Sequence, residues 1–151
     1  MLRKVTRKNE RGTTLVEFAI GATVFFTLMF AVVEFGRMLY VHNALSDAAR
    51  RGARYAVVHS QADIENVKKM AVYGNTADGV QQPLVDHLTT ANVLVQYSGA
   101  PNAFGVNKGT VTVQIQNYDF TFSIPFVGGT IRMPKYSTTL TGENTGIVLF
   151  P

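Results

Sequence analysis

A chain of 151 residues with 14 Lys and Arg against 10 Asp and Glu is formally +4, a balance that invites a nucleic-acid partner. The excess is local, however: Arg3, Lys4, Arg7, Lys8 and Arg11 against Glu10 account for all of it, and from Thr13 onward acids and bases balance. That distribution argues against a basic binding surface, and the absence of cysteine excludes a disulfide framework and thiolate metal ligands.

Residues 1–12 are polar, basic and without periodicity, and are expected to form an extended leader. Lys and Arg beside an apolar segment are retained on the cytoplasmic side, so the rest of the chain should face outward. A basic arm for nucleic acid is the alternative reading, and the apolar segment directly behind it argues against that.

From Thr13 to Val33 every residue except Glu17 is uncharged. At about 1.5 Å per residue a helix of this length just crosses a hydrocarbon core of roughly 30 Å. A secretory signal peptide should be followed by a small-x-small cleavage site, and Val32-Val33-Glu34-Phe35-Gly36-Arg37 offers none, so the helix is expected to stay attached. Glu17 is the anomaly. A carboxylate near hydrocarbon costs several kcal/mol on most estimates, so it should have a partner or a task. Gly21 shares its face and could admit a neighbouring helix; it is equally readable as a small residue without a role.

Beyond Val33 the helix pattern continues as an amphipathic stem, giving one long helix over residues 13–59. Met38, Val41, Leu45, Ala48, Ala49, Gly52 and Ala56 fall on one side, and Asn43, Asp47, Arg50, Arg51 and Arg54 on the other. Asp47 is placed to pair with Arg50 or Arg51. The strip Ala44, Ala48, Gly52, Ala56 is built from small residues, so the sheet of the following head is expected to pack closely on it.

Residues 60–151 read as a small α+β head. Ser60 and Asp63 resemble a capping box, a helix follows over 61–73 with Ile64, Val67, Met70 and Ala71 on one face, and Gly74-Asn75 ends it. Residues 75–83 form a loop, and 83–90 a short helical turn. Val93, Val95 and Tyr97 then alternate with polar residues, as do Val111, Val113 and Ile115 after a Gly, Pro and Asn loop over 98–107. At Asn117 the apolar phase moves from odd to even positions, with Tyr118, Phe120, Phe122 and Ile124 taking over. One regular strand cannot do this, so a tight turn or bulge is expected there. Residues 125–131 read as an apolar loop closed by Met133-Pro134, and 136–142 as a last strand. That loop and the tail Ile147-Val148-Leu149-Phe150 are expected to pack on the small-residue face; exposure for a partner is the alternative.

No residues converge on chemistry. His42, His59 and His87 show no metal-ligand spacing, and Asp86 beside His87 is a pair in sequence only, since adjacent residues do not face one another. Gly128-Gly129 lacks the Lys-Ser/Thr and the helix of a phosphate loop. Neither enzyme activity, cofactor, metal, small-molecule substrate nor nucleic acid is expected.

The blocks Gly12-Thr13-Thr14-Leu15-Val16-Glu17-Phe18, Glu34-Phe35-Gly36-Arg37 and Ala48-Ala49-Arg50-Arg51-Gly52-Ala53-Arg54-Tyr55-Ala56, in that order around an apolar run, resemble TadE-like minor pseudopilins of the tight-adherence (Flp) type IV pilus system. The resemblance covers residues 11–57. It implies a precursor cut by a prepilin peptidase between Gly12 and Thr13, a Thr13 amine that Glu17 can pair with in its own or a neighbouring subunit, and motif positions at Phe18, Glu34, Phe35, Gly36, Arg37, Gly52, Arg54 and Tyr55. It further implies an inner-membrane protein with a cytoplasmic N-terminus and an extracytoplasmic head. The implied partners are the peptidase, membrane lipid, a second pseudopilin and the major pilin. The competing reading is an uncleaved, signal-anchored binding module whose helix is only a tether.

Overall fold

The computed structural model describes residues 10–59, 61–79, 81–99, 109–124 and 127–141. Helix α1 runs Glu10–Val57, 48 residues or about 72 Å. It starts earlier than expected, taking in residues 10–12, because no Pro or cap separates them from the apolar run. A 3-10 turn at Gln61–Asp63 leads into helix α2, Ile64–Tyr73. Gly74, at φ 76°, ends α2 in the left-handed conformation and returns its N–H to the Met70 carbonyl, the stop anticipated from Gly74-Asn75.

Residues 83–90 do not form the expected helical turn. They make a tight reversal, with the Leu88 N–H donating to the Val85 carbonyl and His87 at φ 63°, followed by a 3-10 turn at Thr90–Asn92. Val85 and Leu88 are buried while Asp86 and His87 point outward, so two apolar anchors decide the path rather than helix periodicity.

Five strands follow: β1 Val93–Gly99, β2 Gly109–Ile115, β3 Asp119–Ile124, β4 Val127–Arg132 and β5 Tyr136–Thr141. They form two antiparallel sheets, β1-β2-β5 and the hairpin β3-β4. The register Val95↔Val113↔Thr138 and Val93↔Ile115↔Tyr136 puts the alternating apolar residues of the first sheet on one face. The phase change at Asn117 is thereby explained. Asn117 adopts φ 56°, the chain leaves the first sheet, and β3 begins the second. Asn92 fixes the corner, its side-chain amide donating to the Gln116 and Asn117 carbonyls at 3.2 and 2.9 Å.

Of residues 125–131, expected in a loop, 127–131 instead belong to strand β4, paired with β3 from Asp119↔Arg132 to Ile124↔Val127. Gly128 and Gly129 disguised it, since glycine weakens a strand signal without preventing pairing when a partner strand is adjacent. The Ser60 cap, the loop over 100–107, residues 125–126, the tail and the leader up to residue 9 lie outside the described residues.

The core lies between the second half of α1, α2 and the inner face of β1-β2-β5. Leu45, Ala48, Ala49, Ala53 and Ala56 of α1 are buried against Val67, Ala71 and Val72 of α2 and Val111, Val113 and Ile115 of β2. Gly52 explains the small-residue strip: a Cβ there would stand 3.1 Å from both the Ala71 Cβ and the Val113 Cγ1. The helix–helix and helix–sheet contacts meet at that one backbone position, and the elements closing on α1 there are α2, β2 and β5, while Gly128 to Arg132 of β4 are exposed.

Candidate functional site

Helix α1 has two unlike halves. In the first, Leu15, Val16, Phe18, Ile20, Phe25 and Leu28 are all exposed, and none of the most apolar 18-residue window is buried by the rest of the protein. A soluble core helix would be covered; this one is long and apolar enough to cross a membrane. Its two internal hydroxyls are suited to that. Thr23 and Thr27 each donate to the carbonyl four residues back, Ala19 and Thr23, at 2.8 Å, so neither needs water.

Glu34, one residue beyond this segment, is the sole buried charged side chain among the described residues, 7% exposed. Its Oε1 accepts from Arg37 Nη2 at 2.5 Å and Nε at 3.2 Å, and from the backbone N–H of Ser123 in β3 at 2.9 Å. Arg37 also donates to the Thr121 carbonyl and places its guanidinium 4.4 Å from the centre of the Phe120 ring. The Arg37 hydrogen bonds, reinforced by the Ser123 N–H, hold the Glu34 carboxyl below its ordinary range. A helix turn carrying opposite charges at i and i+3 therefore grips β3 at Phe120, Thr121 and Ser123. We call this arrangement the latch. The i,i+3 spacing of Glu34 and Arg37 was readable in the sequence, but Phe120, Thr121 and Ser123 were not, since nothing local points from residue 34 to residue 123.

The other motif positions divide between packing and solvent. Phe35 is 55% exposed, Gly36 has open space around it, and Arg54 points outward. Tyr55 closes the helix end: its hydroxyl donates to Asp63 at 3.1 Å and its ring stacks on His59, whose Nδ1 donates to the Tyr55 carbonyl. Asp47 pairs with Arg51 rather than Arg50. At the other end, Gly12 lies inside α1 with nothing within 4 Å of where a Cβ would be, and Thr13, Glu17 and Phe18 are exposed. The structure thus unites Glu34, Arg37, Gly52 and Tyr55 with the head, and leaves Gly12, Thr13, Glu17 and Phe18 apart from its described residues.

A groove of about 480 Å³ beside the latch is lined by Arg37, Tyr40, Asp86, His87, Tyr118 and Asp119 among others. Tyr118 uses its hydroxyl to donate to the Asp86 carbonyl at 2.8 Å, which fixes the wall without presenting a reactive group. Among the described residues no three His, Cys, Asp or Glu side chains are grouped to hold a metal.

These features define a class: a small α+β head built onto the outer half of a helix whose inner half is an exposed apolar anchor. More particularly, residues 12–54 are similar to the family described as TadE-like protein. The match covers the helix and ends before the head. No curated protein and no solved structure matches the chain.

Proposed function

We propose that the chain is a minor pseudopilin, a structural subunit needed to build a tight-adherence pilus, inserted in the inner membrane with its head outside the cytoplasm. In this reading residues 1–12 are a leader removed by a prepilin peptidase. Residues 13–33 are the membrane and assembly segment, 34–59 the stem, and 60–151 the head. After cleavage Glu17 lies one helical turn from the new Thr13 amine, where it can pair within the subunit or with a neighbour and gain about 0.3–1 kcal/mol from the helix N-terminus. The partners are the peptidase, a second pseudopilin, the major pilin and membrane lipid.

The observation that carries the proposal is the continuity of α1. A bare apolar half runs without a break into a half that is fused to the head by the latch and by close packing at Gly52. A tether needs a flexible joint and no such fusion; a subunit whose helix and head must enter an assembly in fixed relation needs both. Gly12 is accessible to a protease in this arrangement, because its surroundings are open and only the first turns of α1 must unwind to present an extended backbone. The test is the intact mass of the protein from cells with and without the peptidase. The proposal expects a mature chain starting at Thr13 in the first and the full leader in the second; a chain that keeps its leader in both overturns it.

A further inference from the structure

The groove beside the latch is lined by two opposite charges that do not touch. From α1 comes Arg37, which makes its hydrogen bonds through Nε and Nη2; Nη1 makes none among the described residues, and the side chain is 43% exposed. From the reversal between Val85 and Leu88 comes Asp86, exposed and without an ion-pair partner among the described residues. The two feel each other across the gap. The Arg37 guanidinium is held above its ordinary range first by its hydrogen bond to Glu34 and further by the negative charge of Asp86, yet the ion pair that Arg37 closes is with Glu34. Asp119, another carboxylate of the lining, is taken by Arg132 at 2.9 and 3.2 Å. Burial of Val85 and Leu88 fixes the reversal, so the core itself keeps Asp86 at the groove.

The helix sets the height of this groove. Arg37 and Tyr40 follow Val33, the end of the apolar segment, by four and seven positions, about 6 and 10 Å along the helix axis. The polar layer of a bilayer adds roughly 5–7 Å on each side of the hydrocarbon core, so the Arg37 end of the groove lies at headgroup level. Tyr40, 66% exposed, is of the residue type that collects there, and Leu84, also exposed, adds an apolar edge to the lining. A volume of about 480 Å³ falls in the range of small-ligand sites.

We propose that this groove binds the headgroup of a zwitterionic phospholipid carrying a primary ammonium, with the phosphate on Arg37 Nη1 and the Tyr40 hydroxyl and the ammonium on the Asp86 carboxylate. The inference rests on residues 13–33 being the membrane span. A phosphate and an ammonium joined through two carbons complement a cation and an anion that face each other without contact. A headgroup with the phosphate alone would leave Asp86 unpaired and repelling it. The latch then has a second role: by engaging Nε and Nη2 it turns the remaining guanidinium edge to the groove.

The full chain in dodecylmaltoside micelles would be titrated with short-chain phosphatidylethanolamine or phosphatidylglycerol, and bound lipid counted by native mass spectrometry. The expected result is a single phosphatidylethanolamine per chain, preferred about tenfold over phosphatidylglycerol, the factor that a charged hydrogen bond supplies. Asp86→Asn should abolish that preference and Asp86→Lys invert it; the Asp86 side chain makes no hydrogen bond among the described residues, so neither change touches the fold. Glu65→Gln, the same loss of charge on the exposed face of α2, should leave the preference intact. Equal binding of the two lipids by the wild type, or a preference that survives Asp86→Asn, overturns the inference. Free phosphoethanolamine at the concentration of the lipid should not displace it; displacement would assign the groove to a soluble ligand and overturn the lipid. The same protein would be floated with phosphatidylethanolamine–phosphatidylglycerol vesicles. A chain that does not float refutes the span and the inference with it, whereas one that floats but shows no lipid preference refutes the inference alone.

Discussion

Gly52 and Gly36 lie on the same helix, sixteen residues apart, and the same substitution should act oppositely at the two. Replacing a helical Gly by Ala removes about 1 kcal/mol of unfavourable propensity wherever space permits. At Gly36 a new methyl meets nothing within 4 Å, so Gly36→Ala should stabilise by about that amount. At Gly52 the methyl would sit 3.1 Å from the Ala71 Cβ and from the Val113 Cγ1, with the Val67 carbonyl oxygen at 3.6 Å. Ala71 has no flexible end to withdraw, and Val113 is β-branched and fully buried in the central strand, so α2 or β2 must shift. Overpacking of this kind costs about 1–3 kcal/mol. Set against the propensity gain, Gly52→Ala should come out destabilising by about 1 kcal/mol, and Gly52→Leu by several. Thermal unfolding of the full chain in detergent micelles, followed by tyrosine near-UV circular dichroism, would read this as a melting shift of about 4–8 °C per kcal/mol for a head of this size. If both glycine-to-alanine variants raise the melting temperature equally, the close approach at Gly52 is wrong.

Glu34→Gln should leave the fold intact and speed hydrogen exchange at the Ser123 amide, because the charged acceptor of that N–H is lost; unchanged exchange would remove the latch from the account. The same readout has a defined pH sign. The Glu34 carboxyl is held below its ordinary range by Arg37 and the Ser123 N–H, so its contribution is fully present above the unfolded value of about 4.3 and is lost only as pH falls through the lower, folded value. Ser123 protection should therefore stay flat from neutrality to about pH 5 and fall only in stronger acid. For Glu17→Ala we expect normal membrane insertion, measured by carbonate extraction, together with a loss of surface pili in micrographs; piliation at the wild-type level would make Glu17 an interfacial bystander.

Much of this protein was legible because its signals are local. The apolar run, the stem with its small-residue strip, the Gly74 stop and the alternation of β2 each depend on residues within a few positions of one another. The phase change at Asn117 was legible as an event, although its cause, a change of sheet, was not. Strand β4 was missed because two glycines and a neighbouring Pro-Phe carry a loop signal that pairing with β3 overrides. The reversal at Asp86-His87 was read as helical because burial of Val85 and Leu88, set by the tertiary core, decides its path. For the site the division is sharper. Glu34 and Arg37 stand out as a helical pair, but their grip on β3 spans almost ninety positions and is set by packing alone.

The central claim is that α1 is an assembly element and not a tether. Exchanging residues 13–33 for an unrelated apolar membrane helix of equal length, while keeping the leader, Gly12, the stem and the head, separates the two most directly. With surface pili counted in cells carrying only the exchanged protein, the account expects the protein to reach the membrane and pili to be absent. Pili at wild-type numbers would contradict it and establish the helix as an anchor for a binding head.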